Sequence, residues 1–258
     1  TPDLLPGDIT GGYIYSRTAD RFELRTGPVF ANIVLADEIN RASPKTQSAL
    51  LEAMQEHQVT LEGETMPLPQ PFIVIATQNP IEYEGTFPLP EAQLDRFLMH
   101  VNITYPPVED EVQVIRLVRG EEIAAQSSAD AASKAKPAPI PQDAVFAARD
   151  EIAAVKIPEA MEDYIVALVA ATRRPADLDD DLARYIQVGV SPRGSLALDK
   201  CSRAHAWFVG RETVTPDDIR AVVNDCFRHR LKPTFEAQAD SVTNDELIQR
   251  LVELVAVA

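Results

Sequence analysis

The stretch GPVFANIVLADEINR, at residues 27–41, joins a short apolar run to two adjacent acids. The run Ile33–Ala36 is too brief for a helix of ordinary length, so it predicts a buried strand. Asp37 and Glu38 follow it directly. Ligands of open parallel α/β sheets bind beyond the carboxyl ends of the strands, where a metal-bound phosphate could lie. One acid could address the cation or its water shell, and the other could face an attacking water. An aspartate that only caps a turn would give the same short pattern.

A helix and a second strand follow the acidic pair. Ser43 as N-cap and Pro44 at the first helical position predict the start of the helix. The apolar face of this helix is predicted to carry Ala49, Leu50, Ala53, Met54 and His57. The run Phe72–Thr77 then predicts a second buried strand, and Asn79 after it could hold the attacking water beside Glu38.

Further elements are predicted around these strands. Residues 13–25 and 59–68 alternate around polar turns and predict two hairpins. Residues 90–97 predict an acidic helical segment, and Met99–Tyr105 predicts a third strand. After a Pro-Pro pair, helices are predicted at 108–126, 142–154, 158–173, 177–186, 191–209, 215–229 and 244–257.

Two further stretches are the aromatic residues of the first hairpin, which have two possible roles, and a proline-rich segment. The aromatic residues of the first hairpin could contact a substrate or partner, or could stabilise the hairpin by cross-strand packing. The small and proline-rich residues 127–141 predict a mobile or extended linker.

Composition limits the classes of function. The 258-residue chain carries a net charge of −16, which argues against a general nucleic-acid groove because phosphate binding needs clustered Lys and Arg. Cys201 and Cys226 are too few for a disulfide framework and are interpreted as buried thiols. No apolar run approaches the roughly 20 residues that span a membrane. We therefore expect a cytoplasmic protein that neither spans a membrane nor binds nucleic acid.

Three long motifs together resemble the MoxR group of AAA+ ATPases. They are VLADEINRASPKTQSALLEAMQE at 34–56, IATQNPIEYEGTFPLPEAQLDRF at 75–97 and VSPRGSLAL at 190–198. The resemblance covers essentially the whole chain. It implies an α/β fold in which residues 1–106 are part of an AAA+ core with two hairpin insertions, and residues 107–258 are a small, mainly helical lid domain.

The resemblance also implies roles for single residues. Asp37 would be the Walker B aspartate that acts through Mg²⁺, and Glu38 the catalytic glutamate that orients water. The other implied roles are the first sensor for Asn79, the arginine finger donated to the neighbouring subunit for Arg96, the second sensor for Arg193 and a further contact across the subunit interface for Arg41. Arginine at position 96 could equally be a plain surface residue.

The position of Arg193 supports its implied role on physical grounds. Ser191-Pro192 predicts a helix start, which puts Arg193 in the first helical turn. The helix dipole disfavours a positive charge there, and a bound phosphate would offset that cost. Such a local conflict is typical of functional sites.

One part of the family pattern is missing. The sequence has no G-x-x-x-x-G-K-[ST] loop, and none of its lysines follows a glycine. The chain is therefore expected to begin downstream of the P-loop and to lack the central strand of the sheet. The remaining strands would have to re-pair, recruit another chain or stay partly unfolded.

The resemblance implies an ATPase subunit with ATP and Mg²⁺, working in a homo-oligomer that is expected to be a hexameric ring. The energy of ATP hydrolysis would drive chaperone-like remodelling or maturation of client proteins, with partners that carry von Willebrand factor A domains. This chain alone is predicted to be inactive, so an inert binding or assembly module is the alternative. A metal-binding protein centred on Asp37 and Glu38 would need further clustered ligands.

Overall fold

The computed structural model describes residues 4–18, 20–79, 85–126 and 138–257, without the side chains of 123–126. The chain divides into two compact units, Thr1–Leu98 and Met99–Ala258. The division precedes residue 106 because Met99 packs against the core of the second unit and the N–H of His100 donates to the carbonyl of Asp225 over 2.8 Å. The domain assignment 1–106 and 107–258 stays a prediction.

The first unit alternates short strands with one long helix. Its elements are α1 (Pro6–Thr10), β1 (Gly11–Ser16), β2 (Arg21–Thr26), β3 (Ile33–Ala36), a 3₁₀ turn (Ile39–Arg41), α2 (Pro44–Glu56), β4 (Gln58–Leu61), β5 (Glu64–Pro67), β6 (Ile73–Ala76) and α3 (Glu91–Leu94). The two predicted apolar strands form, and they pair in parallel from Ile33 opposite Ile73 to Ala36 opposite Ala76. This pair, together with the helical second unit, confirms the α/β fold class.

One face of the β3–β6 pair is covered and the other is open. Val34 and Val74 pack with the buried cores beneath α2. The opposite face carries Ile33, Leu35, Ile73 and Ile75, whose exposed fractions lie between 47% and 64%. The prediction that both strands are buried is therefore wrong for one face, because no element of the described residues covers it.

The predicted third strand at Met99–Tyr105 is wrong, since these residues form no strand. Ile103 and Tyr105 are almost fully exposed. Within the described residues no strand pairs with this segment, and a strand forms only where a neighbouring strand accepts and donates its backbone hydrogen bonds.

Helix α2 begins as predicted, because the hydroxyl of Ser43 accepts from the N–H of Thr46 over 3.3 Å and Pro44 is the first helical residue. The predicted apolar face is only partly right. Leu50 and Ala53 are buried, but His57 is exposed and ends the helix with φ of 52°. The buried face also includes residues that the pattern missed, namely Thr46, Gln47 and Leu51.

Both predicted hairpins are present. β1 pairs with β2, and the rings of Tyr15 and Phe22 meet across the strands with centroids 5.5 Å apart. Cross-strand packing, one of the two interpretations of these aromatics, is therefore observed. β4 pairs with β5 around Glu62-Gly63, both at positive φ. The hydroxyl of Tyr13 donates to Glu64 over 2.8 Å and links the two hairpins.

The second unit is mainly helical, as predicted. Its elements are α4 (Val108–Gln126), α5 (Gln142–Ala154), α6 (Glu159–Arg173), a 3₁₀ turn (Pro175–Asp177), α7 (Asp180–Tyr185), β7 (Ile186–Val188), α8 (Pro192–Phe208), α9 (Pro216–Phe227), β8 (Lys232–Pro233), α10 (Phe235–Ala239) and α11 (Asn244–Leu254). The strands β7 and β8 and the helix α10 were not predicted. Residues 127–137 of the predicted linker lie outside the described residues.

The core of the second unit lies between α6, α8, α9 and α11. Its largest fully buried side chains are Tyr164, Phe227, Leu168, Leu182, Leu198, Ile219, Ile248 and Leu251. Cys201 and Cys226 are buried free thiols, which confirms their interpretation. None of the helices in the described ranges is long and apolar enough to cross a lipid bilayer.

A fully buried carboxylate holds the start of α9. Oδ2 of Asp218 accepts from the N–H and the hydroxyl of Thr215, both over 2.8 Å, and its Oδ1 lies 2.7 Å from Nδ1 of His205 and also accepts from Arg211. Burial raises the pKa of Asp218, but the hydrogen bonds from His205, Thr215 and Arg211 outweigh it. The pKa therefore lies below the ordinary value of 3.8.

Asp218→Ala is expected to destabilise the second unit by about 3 kcal/mol, because His205 and Arg211 lose their shared buried acceptor. The folded pKa is lowered, so this contribution is complete above pH 3.8 and is lost as the pH falls through the folded pKa. Urea unfolding followed by Trp207, the single tryptophan of the sequence, measures the difference. Asp217→Ala, whose side chain is 83% exposed, is the control; equal effects of the two variants would contradict the assignment.

Candidate functional site

One hydroxyl side chain joins the ends of β3 and β6. Oγ1 of Thr77, the residue after β6, donates to Oδ1 of Asp37 over 2.6 Å and accepts from the N–H of Glu38 over 2.8 Å. The N–H of Thr77 donates to the carbonyl of Ala36, and the N–H of Ile39 donates to the carbonyl of Thr77, both over 3.0 Å. The acidic pair therefore lies at the carboxyl edge of the parallel pair, where the sequence predicts it.

The backbone of Glu38 turns away from the strand direction. Its φ of 50° and ψ of 51° are in the left-handed region, which a residue with a Cβ rarely adopts. Oε2 of Glu38 lies 3.1 Å from a guanidinium nitrogen of Arg41, three residues along the same turn. About a third of each side chain is exposed. The two acids consequently point in different directions, with Asp37 held by Thr77 and Glu38 held by Arg41.

Asn79 lies at the same edge of the sheet. Nδ2 of Asn40, a side chain only 9% exposed, approaches the carbonyl oxygen of Asn79 at 3.5 Å. The structure thus brings Asp37, Glu38, Arg41 and Asn79 together, through contacts that the turn after β3 makes with the loop after β6. Residues 80–84, which follow Asn79, lie outside the described residues.

Arg96 lies apart from this group. It follows α3 and lines a cavity of about 420 Å³ with side chains of α2 that include Glu52 and Glu56. Its side chain is exposed, and among the described residues its guanidinium makes no hydrogen bond or ion pair. Within the described residues, therefore, nothing commits Arg96 to the acidic pair of its own chain.

Arg193 belongs to the second unit. Its N–H donates to the hydroxyl of Ser191 over 3.1 Å, so the predicted N-cap of α8 is confirmed. Arg193 is exposed in the first turn of this helix, as the sequence predicts. Its role as second sensor stays a prediction.

Sequence reasoning missed three side chains that shape the site. Thr77 was assigned to the strand, although a hydroxyl at a strand end beside an acidic pair is itself a signal of a polar edge. No sequence pattern around Asn40 indicated that its side chain would contact the site. Gln47 lies three residues before Leu50 and four before Leu51, so it is a polar residue on the apolar face of α2, a pattern that often marks a buried hydrogen-bonded side chain.

The carboxylates suit a magnesium ion that a nucleotide brings with it. Mg²⁺ is usually held by one or two carboxylates, phosphate oxygens and water, not by an all-protein cage. Asp37 and Glu38 offer two carboxylates at an accessible strand end. Within the described ranges, no group of three or more His, Cys, Asp or Glu residues could form a dedicated site. The donor set therefore fits magnesium bound together with phosphates.

The chain is similar to known proteins in sequence and in structure. The family described as "ATPase family associated with various cellular activities (AAA)" matches residues 1–99, and the AAA lid domain matches residues 179–251. A crystal structure from Cytophaga hutchinsonii, described as that of a candidate ATPase, superposes with a TM-score of 0.89 at 42% identity. The superposition covers 100% of this chain and 76% of the chain in that crystal structure.

Two of three similar proteins carry the MoxR name. The chain is 44% identical over 257 residues to the uncharacterized protein YeaC of Bacillus subtilis, across 100% of this chain and 75% of that protein. It is 43% identical over 258 residues to the chaperone MoxR1 of Mycobacterium tuberculosis, and this match covers 99% of this chain and 65% of that protein. It is 32% identical over 259 residues to MoxR of Paracoccus denitrificans, and this match covers 94% of this chain and 74% of that protein. The chain therefore belongs to the MoxR group of AAA+ ATPases.

Proposed function

We propose that the chain is a subunit of an ATPase that couples Mg-ATP hydrolysis to chaperone-like remodelling or maturation of client proteins. The observation that carries the proposal is the joined strand edge, where Thr77 fixes Asp37 and the backbone of Glu38 in one polar cluster. The similarity to a relative named as a chaperone supports the remodelling role.

Within this proposal each residue at the edge has a separate task. Asp37 holds the magnesium ion, which when bound would neutralise charge on the phosphates. Glu38, whose carboxylate is directed by Arg41, orients and polarises the attacking water. Asn79 fixes the position of that water from the loop that follows the neighbouring strand β6. These tasks need carboxylates that diverge, as the contacts of Asp37 and Glu38 do.

Two arginines are proposed to complete the site. Arg96 is exposed and has no bond to the acidic pair of its own chain within the described residues, which suits a finger donated to the next copy in a ring. Arg193 is proposed as the second sensor of the lid. We further propose a hexameric ring in the cytoplasm, with client proteins and von Willebrand factor A domain proteins as partners. The 258 residues contain no phosphate-cradling P-loop, so we propose that they do not hydrolyse ATP by themselves.

The proposal is tested by measuring ATP hydrolysis with the native protein, expressed from its own gene. Phosphate release should require Mg²⁺ and should fall by about 10²-fold or more in Asp37→Asn, because the amide replaces the anionic ligand of a hard cation. The matched control is Asp163→Asn on the exposed surface of α6, which should hydrolyse ATP like the wild type. Hydrolysis that is indifferent to Mg²⁺ or to Asp37→Asn would contradict the proposal.

A further inference from the structure

Gln47 is a polar side chain on the buried face of α2. Only 2% of its surface is exposed. Its amide nitrogen donates to the carbonyl oxygens of Ile39 at 3.1 Å, Ala42 at 3.2 Å and Phe87 at 2.9 Å. An amide nitrogen carries two hydrogens, so at least one of them is shared between acceptors. The buried amide is therefore committed to three backbone groups.

These three acceptors belong to two segments of the candidate site. The first two bound the turn that follows Glu38, and the third, Phe87, lies on the segment that leads to Arg96. A backbone bond joins the same segments, since the N–H of Phe87 donates to the carbonyl of Asn40 over 2.6 Å. Gln47 thus lies where the turn that holds the acid meets the segment that presents the arginine.

Apolar packing brings these segments together without fixing their orientation. Ile39 and Leu89, one from each segment, are buried in a single cluster with Leu50 and Leu51 of α2. Burial of apolar surface is not directional, whereas hydrogen bonds to carbonyl oxygens set angles as well as distances. Gln47 makes such directional contacts from α2 to both segments.

We propose that Gln47 is a positioning residue for hydrolysis, which holds the turn carrying Glu38 in register with the segment carrying Arg96. This inference rests on the proposed ATPase function. Gln47 touches neither substrate nor reacting atoms in this account, and it acts through the backbone of Ile39, Ala42 and Phe87.

Gln47→Met keeps the volume of the side chain and removes its hydrogen-bond donor. In the whole protein as the cell makes it, kcat is expected to fall about 10- to 100-fold because misplaced catalytic groups lose alignment, with KM for ATP changed less than about twofold. Gln58→Met is the control, because Gln58 is exposed on the strand that follows α2. Melting curves of both variants show whether the protein remains folded.

A double variant separates positioning from general damage. If Gln47 acts through Glu38, then Gln47→Met combined with Glu38→Gln should be about as slow as Glu38→Gln alone. Effects that multiply both in this variant and in Gln47→Met combined with Arg96→Ala would mean that Gln47 acts through neither residue, and would overturn the inference.

Gln47→Glu keeps the inference testable if the methionine variant fails to fold. A buried carboxyl beside carbonyl oxygens has a raised pKa, and only its protonated form donates a hydrogen bond. Relative to wild type, hydrolysis by Gln47→Glu should therefore recover as the pH is lowered from about 9 to about 6. A constant ratio of variant to wild-type activity across this range would overturn the inference.

Failure of the inference and failure of the proposed function give different results. Wild-type protein that hydrolyses no ATP would contradict the proposed function. Wild-type hydrolysis that a folded Gln47→Met variant retains within about twofold would overturn the positioning role and leave the proposed function intact.

Discussion

Glu38→Gln is expected to lower ATP hydrolysis by about 10²- to 10⁴-fold in the protein as its host cell makes it. The amide has nearly the shape of the carboxylate but cannot polarise water as an anion does. Nucleotide affinity should be kept, because the proposed role of Glu38 is to act on the attacking water and not on the phosphates. Phosphate release at saturating ATP measures the first effect, and the Kd of a fluorescent nucleotide measures the second.

The control for this variant is Glu122→Gln, which makes the same chemical change on exposed α4. It should hydrolyse ATP like the wild type. Because Glu38 is paired with Arg41 at 3.1 Å, the substitution also weakens a contact within the turn. A melting curve that matches the wild type shows that this contact is not needed for folding. Undiminished hydrolysis by Glu38→Gln would remove Glu38 from the mechanism.

Arg96→Ala is expected to have the largest effect, a loss of about 10³- to 10⁵-fold in kcat, if Arg96 neutralises charge at the site of a neighbouring copy. The exposed position of Arg96 predicts little change in the stability of the chain itself. Size-exclusion chromatography should show the same oligomer as the wild type. Steady-state phosphate release gives the rate.

Arg119→Ala on exposed α4 is the matched control and should retain full activity. A variant at Arg96 that stays oligomeric and hydrolyses ATP at the wild-type rate would mean that Arg96 is a plain surface residue, the alternative that the sequence leaves open. Loss of the oligomer together with activity would mean that Arg96 acts in assembly and not as a charge donor.

Local signals in the sequence predicted most elements of the fold. Ser43-Pro44 and Ser191-Pro192 predict helix starts because the hydroxyl caps the first turn and proline fits its first position, and both starts are confirmed. Alternation predicted both hairpins. These signals succeed because the determining contacts lie within a few residues of each other.

The failures concern contacts between distant segments. An apolar run predicts a buried strand, but Leu35 and Ile75 are half exposed or more because burial of a second face needs another layer. Met99–Tyr105 has a strand-like composition but finds no strand partner in the part of the chain that the structure describes. Whether such runs are covered or paired depends on the rest of the assembly, which the local pattern does not contain.

In the candidate site, too, the residues with local signals were predicted and those that depend on distant contacts were not. Asp37 and Glu38 were found from their place after a strand, and Asn79 from its place after the next one. The residues that hold them were missed, because the role of Thr77 depends on β6 lying beside β3. The role of Gln47 depends on the segment at Phe87 returning to α2. Sequence thus indicates reactive groups more readily than the side chains that orient them.

The most direct test of the central claim is to mix two inactive variants, Glu38→Gln and Arg96→Ala, in equal amounts and allow their subunits to exchange. If one copy supplies Glu38 and the next supplies Arg96, random mixing leaves about one quarter of the interfaces with both residues intact, at any ring size. The mixture should then recover about one quarter of the wild-type rate. A mixture that stays as inactive as its components, although exchange is shown by labelled subunits, would contradict a site shared between neighbouring copies.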